Sequence, residues 1–143
     1  MKKKLVHHTI IPVKFSEVDS LGIVWHGHYV RYFEDGREAF GKKFGLGYLD
    51  VFNSGYVTPL INIQCDYKWP LRYGDHVKII TEYIPTDAAK IEFHYQLFNA
   101  DTNQLVATGQ TVQVFLDRPE FMLQLSSPSF YEEWKTKNGI DNE

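Results

Sequence analysis

The sequence predicts an α+β domain in which one antiparallel sheet wraps around a single long helix. Three observations carry that reading. Five segments alternate apolar and polar residues with the period of a strand. Residues 29–44 instead repeat their apolar positions at spacings of four and three, the period of a helix. The connections within the last four strands leave no room for crossover helices, which argues against a parallel sheet.

The elements follow in order. In the first strand, 8–16, Ile11, Val13 and Phe15 alternate with Pro12 and Lys14. The helix places Tyr29, Phe33, Gly36, Phe40 and Phe44 on one face, with Arg31, Glu34, Asp35, Glu38 and Lys42 largely elsewhere. Glu38 and Lys42 stand four apart in the order that favours an ion pair. Gly36 costs about 1 kcal/mol of helix propensity relative to Ala, a cost that close approach of the helix backbone to the sheet would offset. Gly45 and Gly47 end the helix. In the second strand, 58–69, Ile61, Ile63, Cys65 and Tyr67 alternate with Asn62, Gln64 and Asp66. The third, 76–85, groups Val77, Ile79 and Thr81. The fourth, 89–98, sets Ile91, Phe93, Tyr95 and Leu97 against Lys90, Glu92, His94 and Gln96. The fifth covers 105–116. Turn-forming residues at Gly74-Asp75, Pro85-Thr86-Asp87 and 99–103 separate the last four strands. A short helix after Pro128 uses Phe130, Tyr131 and Trp134. The open sheet edges make dimerisation a natural way to cover them.

A length of 143 residues suits one domain, and 43% hydrophobic with 15% aromatic residues supply a large core. The formal charge of −3 argues against an electrostatic nucleic-acid binder. Cys65 is the single cysteine, which excludes an internal disulfide framework and a cysteine-based zinc cluster. No apolar run is long enough to span a membrane. Lys2, Lys3 and Lys4 read as a solvated tail, and Thr9 and Pro12 interrupt what would be a signal-peptide core. The expected setting is cytoplasmic.

Chemistry-bearing residues concentrate between Phe15 and Tyr29, where the first strand runs into the helix. A helix N-terminus has unpaired backbone N–H groups and favours negative charge, so an oxyanion formed there is stabilised. Asp19 is the candidate acid, base or nucleophile, although a turn or cap is the commoner use of a lone loop aspartate. Glu17 reads as a solvated charge at a strand end. His26 can offer its backbone N–H or its imidazole, or merely pack. His26 and His28 form a His-x-His pair without a nearby third ligand, so no metal is expected. Cys65 reads as a buried core thiol. No phosphate-binding glycine motif and no Gly-x-Ser-x-Gly is present.

The run Asp19-x-x-Gly22-x-x-x-His26-x-x-Tyr29, followed by Tyr32-Phe33-Glu34-x-x-Arg37, resembles the signature of hotdog-fold acyl-CoA thioesterases. The nearest group is the 4-hydroxybenzoyl-CoA thioesterase family, in its Tol-Pal-associated branch. Tyr67-x-x-Pro70-Leu71-x-x-Gly74-Asp75 is similar to a second family stretch, and the likeness covers about residues 8–116, with a C-terminal extension at about 117–143. The resemblance implies a hotdog fold and hydrolysis of an acyl-CoA thioester. Asp19 would be the catalytic carboxylate, as nucleophile or as general base. His26 would present its backbone N–H to the carbonyl, with its side chain in an auxiliary role. Gly22 and Tyr29 would shape the substrate site. No cofactor is implied beyond the coenzyme A of the substrate, and a homodimer or homotetramer is.

One departure stands out. The branch carries a tyrosine four residues before the aspartate, where this chain has Phe15; Tyr29 or Ser20 could supply the missing hydroxyl. Lys68, Arg72 and Lys90 are conceivable coenzyme A phosphate contacts, and Trp25, Phe52 and Tyr56 conceivable pocket walls. The rival expectations are an acyl hydratase or dehydratase on the same fold, a non-enzymatic acyl-CoA or acyl-carrier binding module, and a purely structural oligomer.

Overall fold

A computed structural model of the chain describes residues 4–140. Lys2 and Lys3 of the expected solvated tail lie outside the described residues. The order is β1 (Val6–Pro12), α1 (Tyr29–Phe44), α2 (Tyr48–Asn53), β2 (Tyr56–Val57), β3 (Leu60–Tyr67), β4 (His76–Ile84), β5 (Lys90–Asn99), β6 (Leu105–Val114), β7 (Leu116–Asp117) and α3 (Ser129–Lys137). Five strands form one sheet in the spatial order β1-β4-β5-β6-β3, every neighbouring pair antiparallel. The sheet wraps α1, the architecture of the hotdog fold.

The structure corrects the sequence reading at two places and adds short elements to it. β1 ends at Pro12 rather than at residue 16, and Phe15–Glu17 form a single 3-10 turn. The Gly74-Asp75 break separates two strands as expected, but they are not neighbours in the sheet: β3 pairs with β6, while β4 pairs with β1 and β5. The segment between β3 and β4 instead runs past the start of α1, where Leu71 O accepts the Val24 N–H at 2.8 Å. The one-turn α2 and the two-residue ribbon β2–β7 are too short to show a period in sequence.

The helix face is as the spacing predicts. Phe33 and Phe40 are fully buried, and Phe33 stacks on Tyr95 at 4.5 Å between ring centroids. Gly36 answers its propensity cost as expected: a Cβ there would collide with Thr81 Oγ1 and Ile79 Cγ2 of β4. The residues after 118, which the sequence left without a role, close the far end of the core. Tyr131 and Trp134 of α3 are buried, and Trp134 Nε1 donates to Phe44 O at 2.7 Å, satisfying a carbonyl at the end of α1. At one edge of the sheet β3 has no partner on its outer side among the described residues, with Ile61, Ile63 and Tyr67 exposed. Cys65 sits on this strand and is therefore half-buried rather than core. Its partial burial pushes the thiol pKa up.

Buried phenols give the fold an alkaline limit. Desolvation raises Tyr32, Tyr95 and Tyr131, and pushes Tyr29 and Tyr83 up to about 12. In the unfolded chain a phenol titrates near pH ~10. The unfolded state therefore loses these protons first, so this contribution is complete below about pH 10 and falls as pH rises toward about 12. Phenolate absorbance should appear together with loss of far-UV dichroism in that window. Titration of all tyrosines near pH ~10 with the fold retained would contradict this.

Candidate active site

The connection from β1 to α1 folds back on itself as a short ladder. Val18 bridges Val24, Asp19 N–H donates to Ile23 O at 2.9 Å, and Trp25 N–H donates to Glu17 O at 3.0 Å. The reversal needs Gly22 at φ 80°, a left-handed conformation that glycine adopts without steric cost. Asp19 Oδ1 accepts the Leu21 N–H at 2.8 Å, so the carboxylate caps its own turn. Among the described residues no donor meets Oδ2. The expected turn role of Asp19 is thus met by Oδ1 alone, which leaves Oδ2 without a protein donor among the described residues.

The ladder delivers the chain to the helix. His26–His28 form a 3-10 turn that runs directly into α1. Trp25 and His28 N–H groups are satisfied, by Glu17 O and Trp25 O. The N–H groups of His26 and Gly27 have no acceptor among the described residues, as expected of the first residues of a helical run. Tyr67, at the end of β3, donates its hydroxyl to His26 O at 2.7 Å and fixes the first turn against the sheet. The imidazole of His26 is exposed and lies beside the rings of Trp25 at 4.8 Å and Tyr67 at 6.4 Å.

A cleft of about 370 Å³ opens here, lined by Asp19, His26, Tyr29, Tyr67, Lys68 and Trp69 together with Leu21, Ile23, Val24 and Pro70. Three of the four expected site residues therefore meet at one place. Gly22 acts on the turn and does not line the cleft. Tyr29 is buried, 3% exposed, and forms the floor. Its phenol is held neutral by desolvation, which a hydrogen bond to the Leu71 backbone only partly offsets. Asp19, His26 and an apolar wall that includes Leu21, Ile23 and Val24 thus surround one volume.

Several expected contacts are elsewhere. Phe15 is 77% exposed and packs edge-on against Tyr73, so its ring does not occupy the cleft. Phe52 lies under the Arg118 guanidinium at 3.6 Å, and Tyr56 stacks on Phe130 at 5.4 Å. Lys90 pairs with Glu92 at 3.5 Å on the sheet. Glu17 is not a solvated charge: it is 2% exposed. His76 pairs with Asp101 and His94 with Glu92, on separate parts of the sheet. Among the described residues no three His, Cys, Asp or Glu side chains converge as a metal site. A second cavity, about 520 Å³, runs beside α1 and is lined in part by Arg37, Tyr48, Val51, Pro59, Phe93 and Leu116. Neither that cavity nor the Tyr67–His26 bond has a sequence signal, because each joins residues far apart in the chain.

Residues 13–128 match the family model described as the thioesterase-like superfamily. The chain belongs to that superfamily. Among its relatives, YneP of Bacillus subtilis, assigned as an acyl-CoA thioesterase, is 30% identical over 78% of this chain and 80% of its own. A 1,4-dihydroxy-2-naphthoyl-CoA hydrolase of Thermosynechococcus vestitus is 26% identical over 75% of this chain and 73% of its own. The DHNA-CoA thioesterase of Staphylococcus aureus superposes with a TM-score of 0.83 at 25% identity, covering 92% of this chain and 89% of that one. This thioesterase-type enzyme therefore carries its cleft on a scaffold shared with proteins named for coenzyme A thioester hydrolysis. Among the described residues no helix is long and apolar enough to cross a membrane.

Proposed function

We propose that the protein hydrolyses an acyl-CoA thioester to the free acid and coenzyme A, with Asp19 as the catalytic carboxylate. The observation that supports this most directly is that Asp19 and His26 line one cleft, while Asp19 Oδ2 and the His26 N–H have no protein partner among the described residues. A thioester carbonyl whose oxygen faces the His26 N–H would place its carbon beside the carboxylate. Negative charge developing on that oxygen would meet preorganised donors and the positive end of the α1 dipole. Asp19 then either attacks the carbon or takes a proton from the attacking water. In the first case the C–S bond breaks, coenzyme A leaves as a thiolate, and water opens the resulting anhydride to the free acid and the Asp19 carboxylate. In the second the adduct expels coenzyme A, which leaves with that proton as the free thiol. Both routes need only water, a carboxylate and hydrogen-bond donors, so the proposal includes no cofactor beyond the coenzyme A of the substrate. Lys68 on the rim is the cation placed to meet the coenzyme.

The proposal extends to assembly. Two copies pairing antiparallel through their β3 edges would cover Ile61, Ile63 and Tyr67. The two-fold axis would set the Pro59 end of one copy beside the Tyr67 end of the other. The 520 Å³ cavity of one copy would then adjoin the Asp19 cleft of its partner and offer room for an acyl group. A homodimer is thus the smallest assembly proposed, and a homotetramer would add contacts on the outer sheet face. The run from Asp19 to Tyr29 supports the finer placement beside 4-hydroxybenzoyl-CoA and Tol-Pal-associated thioesterases. The unpaired Cys65 fits a reducing, cytoplasmic setting.

Free-thiol release from a panel of short, long and aromatic acyl-CoAs tests the reading. Turnover of at least one member is expected, with a no-substrate blank for Cys65. Binding of acyl-CoA without thiol release would instead establish the acyl-binding module, and change at an enoyl group without thiol release would establish a hydratase.

A further inference from the structure

One buried acid beside the cleft has no place in the chemistry above. Glu17 is 2% exposed, two residues before Asp19. Burying a carboxylate is costly unless its oxygens are hydrogen-bonded. Glu17 Oε1 accepts the Lys14 N–H at 2.8 Å and the Tyr32 hydroxyl at 3.0 Å. Tyr32 is itself fully buried, on α1. Desolvation, reinforced by Glu17, raises the Tyr32 phenol, so it remains a donor. The side chain of Glu17 therefore ties the start of the Asp19 ladder to the central helix.

The backbone of the same residue reaches the other side of the ladder. Glu17 O accepts the Trp25 N–H at 3.0 Å, and the next residue is His26. Glu17 thus contacts α1 through its carboxylate and the segment entering α1 through its carbonyl. The Val18–Val24 bridge and the Asp19 N–H to Ile23 O bond lie between those anchors and the turn at Gly22. Any shift of Glu17 relative to Tyr32 moves Asp19 relative to the first N–H groups of the helical run.

We propose that Glu17 is a positioning residue of the thioesterase site, its bond to Tyr32 setting the Asp19 carboxylate against the helix N-terminus. This rests on the acyl-CoA hydrolase reading. It differs from a merely structural buried pair in what it requires. Loss of the tether must slow the chemical step in protein that remains folded, because a displaced carboxylate loses its alignment while coenzyme A contacts persist.

The test compares Tyr32→Phe, Glu17→Leu and Glu17→Gln with the wild type and Asp19→Asn, each verified as folded by far-UV dichroism. Tyr32→Phe and Glu17→Leu should lower kcat by about tenfold to a hundredfold, with KM changed by less than about twofold. Glu17→Gln retains an acceptor for Tyr32 and should recover most of the kcat lost in Glu17→Leu. If Glu17→Leu fails to fold, Tyr32→Phe, which keeps the buried shape, carries the comparison. Wild-type kcat in folded Tyr32→Phe, a change confined to KM, or no recovery in Glu17→Gln overturns the proposal. Amide hydrogen exchange supplies a readout that needs no turnover. Tyr32→Phe should accelerate exchange at Asp19 and Trp25 while the strands stay protected, and unchanged exchange there also overturns it. A wild type that releases no thiol defeats the hydrolase reading, whereas an active wild type with an inactive Asp19→Asn and a fully active Tyr32→Phe defeats only this one.

Discussion

Asp19→Asn is expected to lower kcat by a factor of about 100 to 10,000 and to leave the unfolding midpoint nearly unchanged. The separation follows from what each oxygen does. Oδ1 accepts the Leu21 N–H, and an asparagine carbonyl oxygen can accept the same bond. The turn, with Gly22 at its left-handed position, therefore persists. Oδ2 has no protein donor among the described residues, and an amide nitrogen in its place is neither a nucleophile nor a base at neutral pH. The residual rate would come from the helix N-terminus, which the substitution does not touch. Free-thiol release and a denaturant titration on the same preparation measure both quantities. Retention of full kcat would remove Asp19 from the chemistry, and a large fall in stability would mean that the turn depends on the charge. Single turnover in heavy-oxygen water provides a positive signature of the nucleophilic role. An anhydride opened at the Asp19 carbonyl leaves heavy oxygen in the protein, whereas a base mechanism puts it only in the product acid.

The legibility of the fold varied with the range of the interactions. The face of α1 and its end at Gly45 were readable because each is a local pattern of spacing and punctuation. The hairpins β4–β5 and β5–β6 were readable for the same reason, their turns being short. The pairing of β3 with β6 was not, because strand order depends on which edge remains free after the sheet curls around the helix. Asp19, His26 and Tyr29 were legible as a cluster, first from their density before a helix and more sharply from the family resemblance. Glu17 reads in sequence as a solvated charge because the strand pattern ends beside it, whereas the chain leaves the strand at Pro12 and turns it inward in a 3-10 geometry. Its partner, Tyr32, lies 15 residues away and carries no local signal. The C-terminal helix was visible through Phe130, Tyr131 and Trp134. Its task of closing the core was not, because that depends on the distant Phe40 and Tyr83 rings and the Phe44 carbonyl.

Phe40→Ala is expected to show the reverse pattern, a large loss of stability with little change in the chemistry of molecules that stay folded. Phe40 is fully buried. Its ring lies 4.7 Å from Phe44, 5.0 Å from Phe93, 6.4 Å from Tyr83 and 6.5 Å from Trp134, centroid to centroid. It thus joins α1, β4, β5 and α3 at one point. Truncation removes apolar burial and leaves a cavity that these rigid rings cannot readily fill, at a cost of about 3–5 kcal/mol. Against a total of about 5–15 kcal/mol for an ordinary domain, that is a large fraction. The cavity would lie about three helical turns from the His26 end of α1, so it removes no group from the cleft. Urea titration should show the midpoint falling with little change in slope, while kcat measured well below the new transition stays within about threefold of wild type. A loss of less than about 1 kcal/mol would mean that α3 and the sheet close over the vacancy. A collapse of kcat in fully folded protein would mean that the two ends of α1 are coupled, which the separate hydrogen-bonding of the Asp19 ladder argues against.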